Sequence, residues 1–193
     1  MGYVVAAALG YLLGSIPFAL LVARRHGVDL RRTGDGNPGA WNALKQLGGR
    51  RALPAFLGDA AKGLLAGLGG HLLAGWWGAF AGVAAAMAGH AFPLFAGFRG
   101  GKAVMTFVGG GLALSPLAGA LCLVLCAAVS AAAAFKWGAR AGIFAFPLIQ
   151  LATDPVEHVI ATGALMSLIG LLFALRPGRS ARATSAPDGA PTA

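Results

Sequence analysis

"GYVVAAALGYLLGSIPFALLVARR", Gly2 to Arg25, carries no charged side chain until it closes on Arg24 and Arg25. A helix needs about 20 mostly apolar residues to cross a bilayer, so the stretch is long enough to span one. No basic residue precedes it, so it lacks the charged head of a secretory signal and is expected to be a retained helix. The whole chain is in keeping. Of 193 residues, 58% are apolar, only 11% are charged and 31 are glycine, too little polar material for an ordinary solvated surface.

Marked on the same ruler, apolar runs fall at roughly 3–23, 52–70, 72–90, 103–115, 117–135, 141–153 and 157–175. Pro116 and Pro155 mark breaks between paired helices, because proline lacks the backbone donor and disfavours helix before it. The expected fold class is all-α, a polytopic membrane protein of about seven transmembrane helices. Six or five remain open if the short runs at 103–115 and 141–153 merge or stay re-entrant.

The cations fix an expected orientation. Arg24, Arg25, Arg31, Arg32, Lys45, Arg50 and Arg51 lie between the first two runs, and Arg99 and Lys102 between the third and fourth. Lys136 and Arg140 separate the fifth and sixth, and Arg176, Arg179 and Arg182 follow the seventh. Under seven spans all of these face one side, whereas one opposite loop holds Asp154 and Glu157. The positive-inside rule then places the N-terminus outside and the C-terminus in the cytoplasm. The net charge of +9 suits anionic headgroups or phosphorylated ligands, with no nucleic acid expected. Residues 1–178 read as the membrane domain and 179–193, "RSARATSAPDGAPTA", as a disordered cytoplasmic tail.

Two loops on the basic side carry the candidate chemistry. "TGDGNPGAWN", Thr33–Asn42, has glycines at 34, 36 and 39 in G-x-G-x-x-G spacing, but a dinucleotide fingerprint needs a preceding strand and none is expected here. What remains is glycine's freedom to turn tightly and bring backbone N–H groups to an anion. Arg31, Arg32 and Lys45 add charge, and Asn37 and Asn42 add amides. The second loop, "GHAFPLFAGFRGGKAVMT", Gly89–Thr106, sets Gly100, Gly101 and Lys102 directly before a helix, whose start presents unpaired N–H groups. His90 is a possible donor or proton acceptor near neutral pH. Asp59 and Lys62 lie three apart within the second run, where ionisable groups are paired or functional. Cys122 and Cys126 share a helix face without a nearby histidine or carboxylate, so neither a metal nor a disulfide is assigned.

Together, "GSIPFALLVARRHGVDLRRTGDGNPGAWN", "DAAKG" and "GHAFPLFAGFRGGK" resemble the bacterial acyl-phosphate:glycerol-3-phosphate acyltransferases, well over residues 10–110 and by hydropathy beyond. The resemblance implies seven transmembrane helices with cytoplasmic active-site loops in the bacterial cytoplasmic (inner) membrane. It implies acyl transfer from acyl phosphate to glycerol 3-phosphate, giving lysophosphatidate for phospholipid synthesis, with no cofactor and membrane lipid as surroundings. It sets no oligomeric state.

Carried over by position, His90, Lys102 and Asn42 are the candidate catalytic residues. Gly34, Asp35, Gly36, Asn37, Gly39, Lys45, Gly100, Gly101 and Arg31 are the candidate phosphate- or substrate-binding residues, and Asp59 with Lys62 is a wall of the site or an ion pair. The chain departs from the family pattern at Asp35 (usually Ser), Trp41 (Thr), Lys45 (often Arg) and Ala103 (Gly), and its sixth run opens on "GARAGI" in place of a Ser-rich entry. The family's C-terminal His-Arg, Asn and Glu are absent; "LRPGRSARA" offers Arg176 and Arg179 there. A divergent lipid-binding relative with another acceptor, and a small transporter, are the alternative functions.

Overall fold

The computed structural model describes residues 1–176. The expected tail at 179–193, with Arg179 and Arg182, lies outside the described residues. Every regular element described is helical: α1 (Gly2–Gly14), α2 (Phe18–Arg25), α3 (Ala40–Leu47), α4 (Gly49–Ala91), a 3-10 turn (Leu94–Ala96), α5 (Val104–Leu114), α6 (Pro116–Ala132), α7 (Phe135–Thr153) and α8 (Val156–Leu175).

Apolar length decides which of these can cross. Gly2–Arg25, Gly49–Ala96 and Val156–Leu175 are long and apolar enough, and Val104–Leu114 and Pro116–Ala132 are shorter apolar helices. At about 1.5 Å per residue, α5 reaches only about 16 Å, short of the roughly 30 Å hydrocarbon core. The 43-residue α4 is two arms, because Ala74 (φ −157°, ψ 32°) and Gly75 (φ 63°, ψ −155°) break its path. The arms fold back on each other: a Cβ on Gly82 would lie 2.4 Å from the Ala66 carbonyl oxygen. The separate runs at 52–70 and 72–90 are therefore one helical hairpin with its turn at Gly75.

Two expectations need correction. The first span is broken: Pro17 precedes α2 in a non-helical conformation, and the Ser15 hydroxyl donates back to the Tyr11 carbonyl at 2.8 Å. The sixth run is a longer helix than 141–153, beginning at Phe135, so Lys136 and Arg140 sit in the first turns of α7 instead of a loop. Both lie over the Trp137 ring, at 5.5 and 5.0 Å, as cations do when their stems lie along an apolar face and their heads reach for the interface.

Small residues let the helices close. A Cβ on Gly14 would stand 2.1 Å from the Ala86 carbonyl oxygen, and one on Gly63 would stand 1.9 Å from that of Thr106, so α1 and α5 meet α4 backbone to backbone. One buried cluster, with Val83, Met87, Phe107, Phe146 and Leu165, fills the bundle. A second, with Leu20, Ala23, Leu30, Ala43 and Ala55, lies beneath α3 and supports the first glycine loop. At the turn of the hairpin, Trp76 donates to the Leu114 carbonyl at 2.9 Å and stacks on His158 with ring centroids 3.5 Å apart.

Candidate active site

The break in the first span creates the site's floor. The Ile16 carbonyl accepts a hydrogen bond from Lys62 Nζ at 3.0 Å, and the same ammonium lies 2.9 Å from Asp59 Oδ1. His90 Nδ1 is 3.5 Å from that carboxylate oxygen and 3.2 Å from the Thr106 hydroxyl. Asp59, Lys62 and His90 are only 1%, 3% and 7% exposed. Charges removed this far from water persist only when paired, so the three form one unit and not independent surface groups. Asp59 Oδ2 has no hydrogen-bond partner, and the Lys62 contact with Oδ1 is ionic without hydrogen-bond angles. A small cleft opens over them, lined also by Ile16, Pro17, Pro38, Gly100 and Gly101.

The first loop is held by Asn42. Its buried Nδ2 donates to the carbonyls of Leu30, Thr33 and Asn37 at 3.1, 3.0 and 3.1 Å. Expected among the catalytic groups, Asn42 is instead fully buried and committed to loop carbonyls. The glycines, too, shape more than they bind. Gly36 N–H donates to the Thr33 carbonyl, Gly39 N–H to that of Asn37, and Asn37 N–H to Asp35 Oδ1, at 3.2, 2.9 and 3.0 Å. Those amides are thus engaged within the loop. Gly34 at φ +61° takes a left-handed turn, and a Cβ there would meet Asn42 Oδ1 at 2.3 Å.

Two of the candidate cations, Arg31 and Lys45, are placed outside the cleft. Arg31 Nη2 donates to the carbonyls of Ala96 and Arg99, at 2.5 and 2.8 Å, fastening the first loop to the second. Lys45 Nζ lies 5.8 Å from the Trp41 ring centroid, and that ring stacks on Phe135 at 5.8 Å. Neither residue lines the cleft.

In the second loop, Gly100 N–H donates to the Ala91 carbonyl and Gly101 N–H to that of His90, at 3.1 and 3.2 Å. Here again the amides are spent on the loop, and the reason for glycine is space. A Cβ on Gly100 would fall 1.9 Å from the His90 carbonyl oxygen, and one on Gly101 would fall 2.5 Å from His90 Nε2. Lys102 follows, half-buried, with Nζ 3.9 Å from the Phe173 ring centroid. Burial pulls its pKa below the ordinary lysine value, and the Asp35 carboxylate acts the other way. Asp35, on the first loop, thus bears on the charge of Lys102. The start of α5 leaves first-turn N–H groups beside Lys102. Ala103 caps that helix at φ +58°, the left-handed region that costs a non-glycine residue about 1 kcal/mol.

Sequence reasoning missed the union of Asp59 with His90, the hold of Tyr11 Oη on the Phe92 carbonyl at 2.8 Å, and the destination of Arg176. Asp59-x-x-Lys62 on one helix, followed by His90 at the end of the returning arm, was the available signal for the first. Cys122 and Cys126 are free thiols on α6, and among the described residues no group of metal-ligating side chains gathers.

The fold and this cleft define a class: an integral membrane protein of packed, partly broken helices, with a buried ion pair, a histidine and a glycine-lysine loop gathered at one end of the bundle. The chain belongs to the glycerol-3-phosphate acyltransferase family, whose model matches residues 4–178. A glycerol-3-phosphate acyltransferase of Neisseria meningitidis serogroup A is 41% identical over 174 residues, 85% of this chain and 86% of that one. A second, from Neisseria meningitidis serogroup C, is 46% identical over 126 residues, and there the match spans 62% of this chain and 63% of the relative. The crystal structure of PlsY, an integral membrane glycerol 3-phosphate acyltransferase in its glycerol 3-phosphate form, superposes with a TM-score of 0.80 at 27% identity, covering 98% of this chain and 96% of that one.

Proposed function

We propose that this chain transfers an acyl group from acyl phosphate to the 1-hydroxyl of glycerol 3-phosphate at the cleft over Asp59, Lys62 and His90. Its family membership makes it a glycerol-3-phosphate acyltransferase of the membrane; the donor, the site and the side of the membrane are our reading. In the reaction the acceptor oxygen bonds to the acyl carbon, the bond from that carbon to the phosphate oxygen breaks, and the hydroxyl proton leaves with inorganic phosphate. Lysophosphatidate is the other product.

Acyl phosphate is already activated, so the protein's task is to hold two phosphorylated molecules together and offset their repulsion. Lys102 and the first-turn amides of α5 are suited to one phosphate. His90 presents Nε2 to the Gly101 side of the cleft while Nδ1 is held by Thr106 and Asp59. The observation that carries the reading is the cleft in which Gly100 and Gly101 meet His90 over the buried, neutralised Asp59–Lys62 pair, with Lys102 next in the chain. The acyltransferase unit spans residues 1–178, and the loops face the cytoplasm in the bacterial cytoplasmic membrane, in line with the one-sided cations.

Purified full-length protein in lipid, given palmitoyl phosphate, should release inorganic phosphate only when glycerol 3-phosphate is added. Acceptor-independent release, or none with any alcohol acceptor, would overturn this function.

A further inference from the structure

The final helix ends against the glycine-lysine loop. Arg176 follows the last residue of α8, and its Nη1 donates to the Ala91 carbonyl at 2.9 Å and, at longer range, to those of Gly100 and Gly101 at 3.3 and 3.4 Å. Its guanidinium carbon lies 4.5 Å from the Phe92 ring centroid. One turn earlier, the Phe173 ring underlies Lys102 at 3.9 Å. Thus one short stretch of α8 touches the loop at its start, at both glycines and at its lysine.

We propose that Arg176 is a positioning residue for phosphate binding, holding Gly100, Gly101 and Lys102 in register with His90. The inference rests on the acyl-transfer reading for what is bound, and on geometry for what is held. The peptide between Gly100 and Gly101 is fixed at both ends, its N–H on the His90 carbonyl and its oxygen on Arg176. The next peptide has its oxygen on Arg176 as well, and a planar trans peptide then directs the Lys102 N–H to the opposite side. Glycines have no side chain to restrict them, so these bonds help select the loop's conformation. Arginine suits the position because one planar head supplies several donors to clustered carbonyls and also stacks on a ring. Lysine offers a point charge and no stacking plane.

The test compares Arg176→Gln, Arg176→Lys and Leu172→Ala in the full chain in lipid, reading amide hydrogen exchange over residues 98–106 and KM for glycerol 3-phosphate. Leu172 is buried on α8, so its truncation weakens helix docking without removing the loop contact. Arg176→Gln should speed exchange and raise KM, each by about tenfold, the scale of one charge-assisted hydrogen bond. Arg176→Lys should fall between it and the wild type. Leu172→Ala should lower the melting temperature with KM unchanged. Unaltered exchange and KM in Arg176→Gln, or the same rise in KM in Leu172→Ala, would overturn the assignment. Should Arg176→Gln not fold, Arg176→Lys decides, a raised KM supporting the role and an unaltered one excluding it. Exchange is read without substrate, so a wild type with no turnover removes the acyl-transfer reading while the loop contact is still decided.

Discussion

Asp59 and Lys62 form an ion pair of 2.9 Å one helical turn apart, buried between the break in the first span and the start of α5. Removing one partner leaves the other charged and unpaired in low dielectric, which costs about 3 to 5 kcal/mol, whereas replacing both costs far less. Lys62→Met and Asp59→Asn should therefore each lower thermal stability more than the double substitution does. A double-mutant cycle by thermal unfolding in detergent checks this, and purely additive losses would mean that the pair is not coupled.

Gly100 and Gly101 fail for different reasons when enlarged. In Gly100→Ala the new methyl meets the backbone carbonyl of His90, which cannot rotate away, so turnover should fall by more than about a hundredfold with a loss of stability. In Gly101→Ala the obstacle is the His90 ring. Stability lost in Gly101→Ala should therefore return in Gly101→Ala with His90→Ala, while His90→Ala should do nothing for Gly100→Ala. Melting temperatures of the four variants separate these outcomes.

Lys102 sets an expectation for pH. Its pKa is lowered by burial, and the proposed phosphate contact needs the protonated form. The sign follows: kcat/KM should be retained at neutral pH and fall as pH rises through a value below the ordinary lysine pKa. Arginine stays charged throughout, so Lys102→Arg should move that alkaline limb upward even if its maximum rate is lower. Lys102→Ala should lose about ten- to a hundredfold at neutral pH. A pH–rate profile of the three proteins is the measurement, and an alkaline limb at the same pH in wild type and Lys102→Arg would remove Lys102 from the phosphate site.

The parts of this molecule that the bilayer dictates are the parts its sequence disclosed. An uncharged run from Gly2 to Ala23 has few other destinations, and Pro116 and Pro155 stand where helices begin. Charge at a helix end was misread: Lys136 and Arg140 lower local hydropathy and so resemble loop, yet long stems over Trp137 allow them to stay helical. In the site, residue types located the two loops but not each residue's task. Arg31 could have met a phosphate or a carbonyl, and only the fold brings Ala96 and Arg99 to it from more than sixty residues away. Likewise the glycines of both loops read as amide donors, while Gly34 also leaves room for Asn42, and Gly100 and Gly101 for His90.

The orientation proposed from the cations is testable. In a variant without Cys122 and Cys126, single cysteines at Tyr3 and Thr33, both exposed, should react with an impermeant thiol reagent from outside and only after lysis, respectively. Labelling of Thr33→Cys in intact cells would place the cleft on the other face and exclude a cytoplasmic acceptor.

Asp35 puts a carboxylate opposite the lysine proposed to bind phosphate. Its Oδ1 accepts the Asn37 N–H within the loop, so the side chain has a local structural use, and its charge also bears on Lys102. These two effects can be separated by Asp35→Ser, because a serine oxygen can still accept the Asn37 N–H while the charge is gone. With the charge removed, Lys102 faces only the incoming phosphate. A unit charge about 8 Å away at an effective dielectric near 40 is worth about 1 kcal/mol, so KM for glycerol 3-phosphate should fall roughly fivefold with kcat little changed. The same substitution removes the influence that keeps the Lys102 pKa up, so the alkaline limb of kcat/KM should move to lower pH. In the Lys102→Arg background the pH shift should vanish and the KM shift should persist. An uncharged alcohol acceptor that loses acylation in Asp35→Ser would instead assign the carboxylate to proton abstraction. Unchanged steady-state constants for every acceptor would confine Asp35 to its turn.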